Sequence, residues 1–195
     1  MNTLGHLALG GNRPEHLLGQ FLGDFVRGSV DELPYSNAIL RGIRAHRRID
    51  AVGDRHSFTH AAKALLPASE RRYGGIVLDL YSDLLLHANW TRVMPADLDR
   101  FIDHAHALLT DPPVPLPPNA ARHARIVVDH GLLMAYADPD ELGAILDRIG
   151  RRLRRPVRLS PLLHKLLRRE TWFHDAFPAY FEDMRAESDR ILFES

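Results

Sequence analysis

Cysteine is absent from all 195 residues, which excludes disulfides, a thiol nucleophile and every sulfur-ligated metal site. No apolar stretch approaches the ~18 residues that a membrane span requires. The opening Met1-Asn2-Thr3-Leu4-Gly5-His6 has no basic segment leading into an apolar one, so no secretory signal is expected and a cytoplasmic protein is. Excess charge of one sign is missing too, because 25 acidic side chains balance 25 basic ones. Lysine is scarce, since all the basic residues but Lys63 and Lys165 are arginine. Three catalytic signatures are also lacking: a glycine-rich phosphate loop, a Gly-x-Ser-x-Gly nucleophile elbow and a dinucleotide-binding fingerprint.

What is present is helical periodicity. Apolar residues make up 45% of the chain, and its length suits one domain over 1–195 with a sizeable core. Leu17, Leu18, Phe21, Leu22, Phe25 and Val26 trace one helix face after Pro14. Further helices are predicted from a Ser36 cap to about residue 54, over 61–66, 69–90 and 97–109, and then over 119–136, 139–154 and 160–194. The proline-rich segment 111–118 cannot be helical and reads as a surface connection, and Pro178 is expected to kink or split the last helix. No useful strand alternation occurs. The expectation is an all-α bundle of about seven to eight helices.

Polar residues on core-facing stripes carry the functional signal. At about 100° per residue, His46, Asp50 and Asp54 fall within about 60° of Ile39 and share its inward face with Ile43. Asp79, Asp83 and His87 form a second ladder at i, i+4 and i+8, beside Ile76 and Leu80. Asp24 borders the apolar face of the chain's first predicted helix, the one traced by Leu17 to Val26, and His6 lies in an apolar N-terminal run. A buried carboxylate must be paired, hydrogen-bonded or bound to a metal. The bland alternative is ion pairing with Arg47 and Arg48.

Imidazole and oxygen ligands without sulfur suit Mn²⁺, Fe²⁺, Mg²⁺ or a catalytic Zn²⁺. The candidate ligands are Asp24, His46, Asp50, Asp79 and Asp83, with His6 and His87 as further ones. Asp24, His46, Asp50 and Asp83 are the candidate catalytic residues, and Arg27, Arg47 and Arg48 the candidate phosphate-holding ones. An all-helical domain with such ligands pointing inward resembles the His/Asp metal-dependent phosphohydrolases in general design.

The same residues resemble those of the acyl carrier protein phosphodiesterases. The matches are Met1-Asn2-x-Leu4-x-His6-Leu7, then Gly19-x-x-x-x-Asp24-Phe25-Val26-Arg27-Gly28. The most specific is Gly42-Ile43-x-x-His46-Arg47-Arg48-Ile49-Asp50, followed by Asp54-x-His56, Asp79-x-x-x-Asp83, Trp90 and Phe177-Pro178. The resemblance implies a Mn²⁺-dependent enzyme that removes 4′-phosphopantetheine from holo acyl carrier protein. Three departures stand out: Gln20 replaces the family's asparagine, Leu84 follows Asp83 where a histidine is common, and Asn89 precedes Trp90 in place of histidine.

A partner signal comes from 148–169, where eight arginines and Lys165 stand without one acid. Nucleic acid is not the expected partner, because the segment has no aromatic residue for base stacking. Arg151, Arg152, Arg154 and Arg155 are the candidate docking residues for an acidic carrier protein. Two other readings remain open at this level: a phosphohydrolase acting on another phosphoester such as a nucleotide, and a module that binds carrier protein without cleaving it.

Overall fold

A computed structural model describes residues 1–193, so Glu194, the expected end of the last helix, lies outside them. The described residues form eleven α-helices: α1 (Thr3–Ala8), α2 (Pro14–Leu22), α3 (Asn37–Gly53), α4 (Ser57–Ala64), α5 (Gly74–Val93), α6 (Leu98–Thr110), α7 (Pro118–Asp129), α8 (Leu132–Ala135), α9 (Pro139–Arg151), α10 (Ser160–Leu167) and α11 (Glu170–Phe193). Single 3₁₀ turns occur at Val30–Glu32 and Arg71–Tyr73, and there is no strand among the described residues. The all-α expectation holds, with more and shorter helices than periodicity alone predicted.

Capping chemistry sets several of these boundaries. Ser36 accepts from the Ile39 amide at 3.4 Å to start α3. Asp97 accepts from Arg100 N at 3.1 Å to start α6, and Asp138 from Asp140 N at 2.8 Å to start α9. His56 begins α4 earlier than predicted, its Nδ1 accepting from the Phe58 amide at 3.1 Å. The expected helix over 119–136 breaks at Gly131, whose φ of 55° is left-handed backbone that a side chain would disfavour. The expected helix over 160–194 divides after Leu167. Pro178, by contrast, lies inside α11 without ending it. Its missing N–H leaves the His174 carbonyl without a helical donor, and Arg92 donates to that oxygen at 3.1 Å.

One contiguous apolar cluster runs through the molecule, with Leu4, Ile43, Val77, Tyr81 and Phe181 each fully buried within it. Each such side chain contributes about 1.5–3 kcal/mol relative to exposure. The helices α3 and α5 are both covered by the long α11. Between α2 and α3 the backbones nearly touch: a Cβ on Gly19 would lie 2.2 Å from the Ile39 carbonyl oxygen, and one on Gly42 2.4 Å from that of His16. The proline-rich connection runs over the surface, with Val114 and Leu116 turned against the core. No helix among the described residues is long and apolar enough to cross a membrane.

Candidate metal centre

The close α2–α3 crossing brings the end of α2 against the middle of α3. His46 is on α3, Asp50 one turn further along it, and Asp24 just past the end of α2. His46 Nε2 lies 3.3 Å from Asp24 Oδ1 and 3.3 Å from Asp50 Oδ2. The short α1 adds His6, whose Nε2 is 3.1 Å from Asp50 Oδ1. The two imidazoles stack with centroids 3.8 Å apart. Gly23 makes room for them, since a Cβ there would meet His46 Cγ at 2.2 Å. Both histidine side chains are 3% exposed, while Asp24 and Asp50 open to solvent at 65% and 45%. The result is a buried nitrogen floor under a carboxylate rim.

Burial and charge pull the groups of this cluster in opposite directions. Burial opposes the charged form of His46, but Asp24 and Asp50 outweigh it and hold its pKa up at about 9. Burial and the charge of His46 push His6 down to about 4. Burial alone would raise the Asp50 carboxyl, yet its bonds to His46 and His6 drive it well below the usual range. His46 Nδ1 donates to the Gln20 backbone oxygen at 2.7 Å, leaving Nε2 as the atom turned to the carboxylates. His6 Nε2 faces the ionised Asp50 carboxylate at 3.1 Å, donating to it or, with the ring hydrogen on Nδ1, able to share a cation with it. His6, His46 and Asp50 offer ligand atoms within 4.8 Å of one another, and Asp24 flanks them. This nitrogen and oxygen set fits a divalent first-row metal.

Above the cluster opens a cavity of about 200 Å³, lined by Asp24, Asp50, Asp54 and Asp79 with Lys63 and Tyr180. Asp79 joins the rim, 3.4 Å from the Met1 amino group, which is itself 4.0 Å from Asp50.

The rest of the α5 ladder goes elsewhere. Asp83 is completely buried, and its two oxygens accept from the amides of Leu4 at 2.9 Å and Gly5 at 3.0 Å. It thus caps α1 from another helix, a task that Asn2 at the cap position does not perform. Burial, partly offset by those amides, raises its pKa to about 7. His87 faces away, its Nε2 donating to the Leu133 carbonyl at 2.6 Å. Neither residue joins the His6–His46–Asp50 cluster, which corrects their expected place in the ligand set.

The three arginines assigned to phosphate also lie outside the cavity. Arg47 donates to the carbonyls of Gly28 at 2.8 Å and Val26 at 3.1 Å, fixing the loop after α2. Arg48 pairs with Glu187 on α11 at 2.7 Å, and Arg27 is exposed on its loop. Residues adjacent in sequence to a helical ligand point about 100° away from it, so they cannot serve the same site. The side-chain cation that does line the cavity is Lys63, 3.7 Å from Asp54, alongside the Met1 amino group. Thr59, Ser82 and Tyr180 line it as well and were not anticipated. For Lys63 a sequence signal existed, because it is one of two lysines in an arginine-rich chain. Arg151, Arg152, Arg154 and Arg155 are all exposed, and none pairs with an acid among the described residues.

Comparison with known proteins identifies the family of the chain. The family model described as acyl carrier protein phosphodiesterase matches residues 1–184. An acyl carrier protein phosphodiesterase of Photorhabdus laumondii is 36% identical over 163 residues, covering 83% of this chain and 80% of the relative. One from Yersinia enterocolitica is 30% identical over 190 residues, 96% of this chain and 97% of its own length. A third, from Serratia proteamaculans, is 34% identical over 164 residues, 83% and 82% of the two chains. No solved structure matches. With a family model spanning nearly its whole length and relatives above 30% identity along most of it, the chain belongs to the acyl carrier protein phosphodiesterase family.

Proposed function

We propose that this protein is a metal-dependent phosphodiesterase that cleaves holo acyl carrier protein into apo protein and 4′-phosphopantetheine. The reaction adds water to phosphorus, breaks the bond from phosphorus to the serine oxygen, and returns a proton to that oxygen. One observation carries the metal requirement. The substrate is an anion, whereas the cavity presents four carboxylates against the Lys63 and Met1 ammonium groups, so the excess of negative charge would repel a phosphodiester without a bound cation. His6, His46, Asp50 and Asp24 would hold that cation, for which we propose Mn²⁺. When bound, it would polarise the phosphoryl oxygens and lower the pKa of a nearby water.

The remaining work falls to the chain itself. Lys63 is placed to accompany phosphoryl oxygens that the carboxylate rim would otherwise repel. Asp54 holds the Lys63 ammonium at the cavity edge. Beside the cavity, sharing Phe58 and Tyr180 as walls, lies a groove that reaches Trp172 and Ala176, and we assign the extended arm to it. Phe58 stacks on Tyr180 at 4.5 Å and on Trp172 at 5.5 Å, giving that groove a rigid aromatic floor. On the other side of the first turns of α5, Arg72, Arg154 and Arg155 rim a shallow groove floored by Tyr73, Ile76 and Leu153. An acidic carrier protein would dock there, steered by complementary charge.

The deciding experiment incubates purified holo acyl carrier protein with this protein and Mn²⁺, and reads the carrier mass. Loss of the phosphopantetheine mass, prevented by chelator, is expected. An unchanged mass across Mn²⁺, Mg²⁺, Fe²⁺ and Zn²⁺ would overturn the assignment.

A further inference from the structure

Gln20 sits at the fully buried centre of a hydrogen-bond network that touches both histidines. Its side-chain oxygen is 3.3 Å from His6 Nδ1, and its own backbone oxygen is 2.7 Å from His46 Nδ1. The side-chain nitrogen lies 3.4 Å from the Leu9 carbonyl oxygen and 3.2 Å from Ser188 Oγ. Ser188 Oγ in turn is 2.6 Å from the same Leu9 oxygen.

Acceptor arithmetic orients every member. The Leu9 carbonyl can only accept, so the Ser188 hydrogen points to it and the Ser188 lone pairs face the Gln20 amide. The Gln20 NH₂ therefore points toward Leu9 and Ser188, since turning the amide over would set two carbonyl-type oxygens 3.4 Å apart. That leaves Gln20 Oε1 as the atom facing His6, where it can only accept, so His6 carries its hydrogen on Nδ1. The Gln20 backbone oxygen imposes the same state on His46. Once His46 has also given up its Nε2 proton, both Nε2 lone pairs are directed at the carboxylate cluster, the arrangement a histidine needs to ligate a metal.

We infer that Gln20 is a positioning residue that sets the Nδ1–H tautomer of both imidazoles, one through its side chain and one through its backbone. Leu9 and Ser188 lock its amide in the orientation required. The inference rests on the metal-centre reading only for its purpose, because the tautomers are properties of the metal-free protein.

The double role supplies an internal control. Substituting Gln20→Leu removes the acceptor for His6 but leaves the backbone acceptor for His46. Leu9 and Ser188 still satisfy each other, so the apolar replacement orphans only His6. Ring ¹⁵N shifts, measured without metal at pH 10, where His46 is neutral as well as His6, read the two histidines separately. The wild type should show both rings as Nδ1–H. In Gln20→Leu, His6 should move to Nε2–H, donating to Asp50, while His46 keeps its tautomer and Tyr81 and Phe173 keep their near-ultraviolet signature. Mn²⁺ affinity, titrated on the same samples, should fall about 10–100-fold.

A wild-type His6 found as Nε2–H overturns the proposal, as does an unchanged His6 tautomer in Gln20→Leu. Loss of both tautomers together in that variant also overturns it, because that is general unfolding of the site rather than removal of one acceptor. A wild type with correct tautomers that binds no Mn²⁺ would instead defeat the metal reading and leave the positioning role standing.

Discussion

Helices α3 and α5 carry the same kind of ladder, histidine and aspartate at four-residue intervals, and the fold uses them in opposite ways. On α3, His46 and Asp50 face one site and meet Asp24 from just past the end of α2. On α5, successive turns place Asp79 at the cavity rim, Asp83 under the start of α1 and His87 on the Leu133 carbonyl. The difference lies in what covers each helix. The α3 stripe meets α1 and α2 together at one place. By contrast, α5 is buried nearly all round, with Leu80, Tyr81, Ser82 and Asp83 consecutively buried. A ladder on such a helix has a different neighbour at every turn.

Substitution should separate the two aspartates most sharply. Asp50→Ala should remove turnover altogether while the protein stays folded, since that carboxylate is half-exposed and its loss unburies no charge. Asp24→Ala should behave alike. Carrier mass analysis and thermal unfolding read both effects, and near-normal activity in either variant would reassign that residue to structure. Asp83→Ala should do the reverse. Two buried amides lose their acceptor, costing about 2–4 kcal/mol in urea unfolding, with the folded fraction still turning over.

The pH dependence sharpens the same contrast. Asp83 has a folded pKa of about 7, raised from 3.8. Its contribution is therefore fully present below about pH 4 and lost as pH rises through 7. His46, raised from 6.5 to about 9, contributes fully below 6.5 and loses that contribution as pH rises through 9 in metal-free protein. Unfolding curves of wild type and Asp83→Asn should thus differ in slope between pH 4 and 7 and run parallel above pH 8. Parallel curves across the whole range would mean that Asp83 stays ionised in the folded protein.

Smaller effects are expected away from the aspartates. Lys63→Met should raise KM about tenfold by removing the side-chain cation of the cavity, while Arg47→Met should leave KM unchanged and lower only stability. Reversing Arg154 and Arg155 to glutamate should raise KM for carrier protein, with kcat little altered and the salt dependence weakened. A small phosphodiester that does not reach the groove should be indifferent to that reversal. Equal harm to both substrates would make the patch a solvated surface.

The sequence made α3 legible because its polar stripe coincides with an apolar one, and Asp24 legible because it ends the helix that crosses there. It made Asp83 and His87 misleading because periodicity gives a direction around the axis, not the identity of what lies in that direction. The phosphate arginines failed for a related reason, as adjacency in sequence was read as adjacency in space. The break at Gly131 was readable in principle, since glycine favours the left-handed turn that splits α7 from α8. Gln20 was visible only as a departure from a family pattern. Its hydrogen bonds to residues as distant in sequence as Ser188 have no local signature.

The capped α1 has a kinetic consequence. Six residues are too few to hold a helix in isolation, so α1 exists only while docked. It carries His6 on one side and hangs from Asp83 by the Leu4 and Gly5 amides. Each undocking would therefore withdraw a ligand and expose those two amides in the same event. Once a cation occupies the cluster, that opening becomes rarer in proportion to the ligand bound. The exchange of two backbone hydrogens at Leu4 and Gly5 would then serve as a clock for how long a bound cation stays.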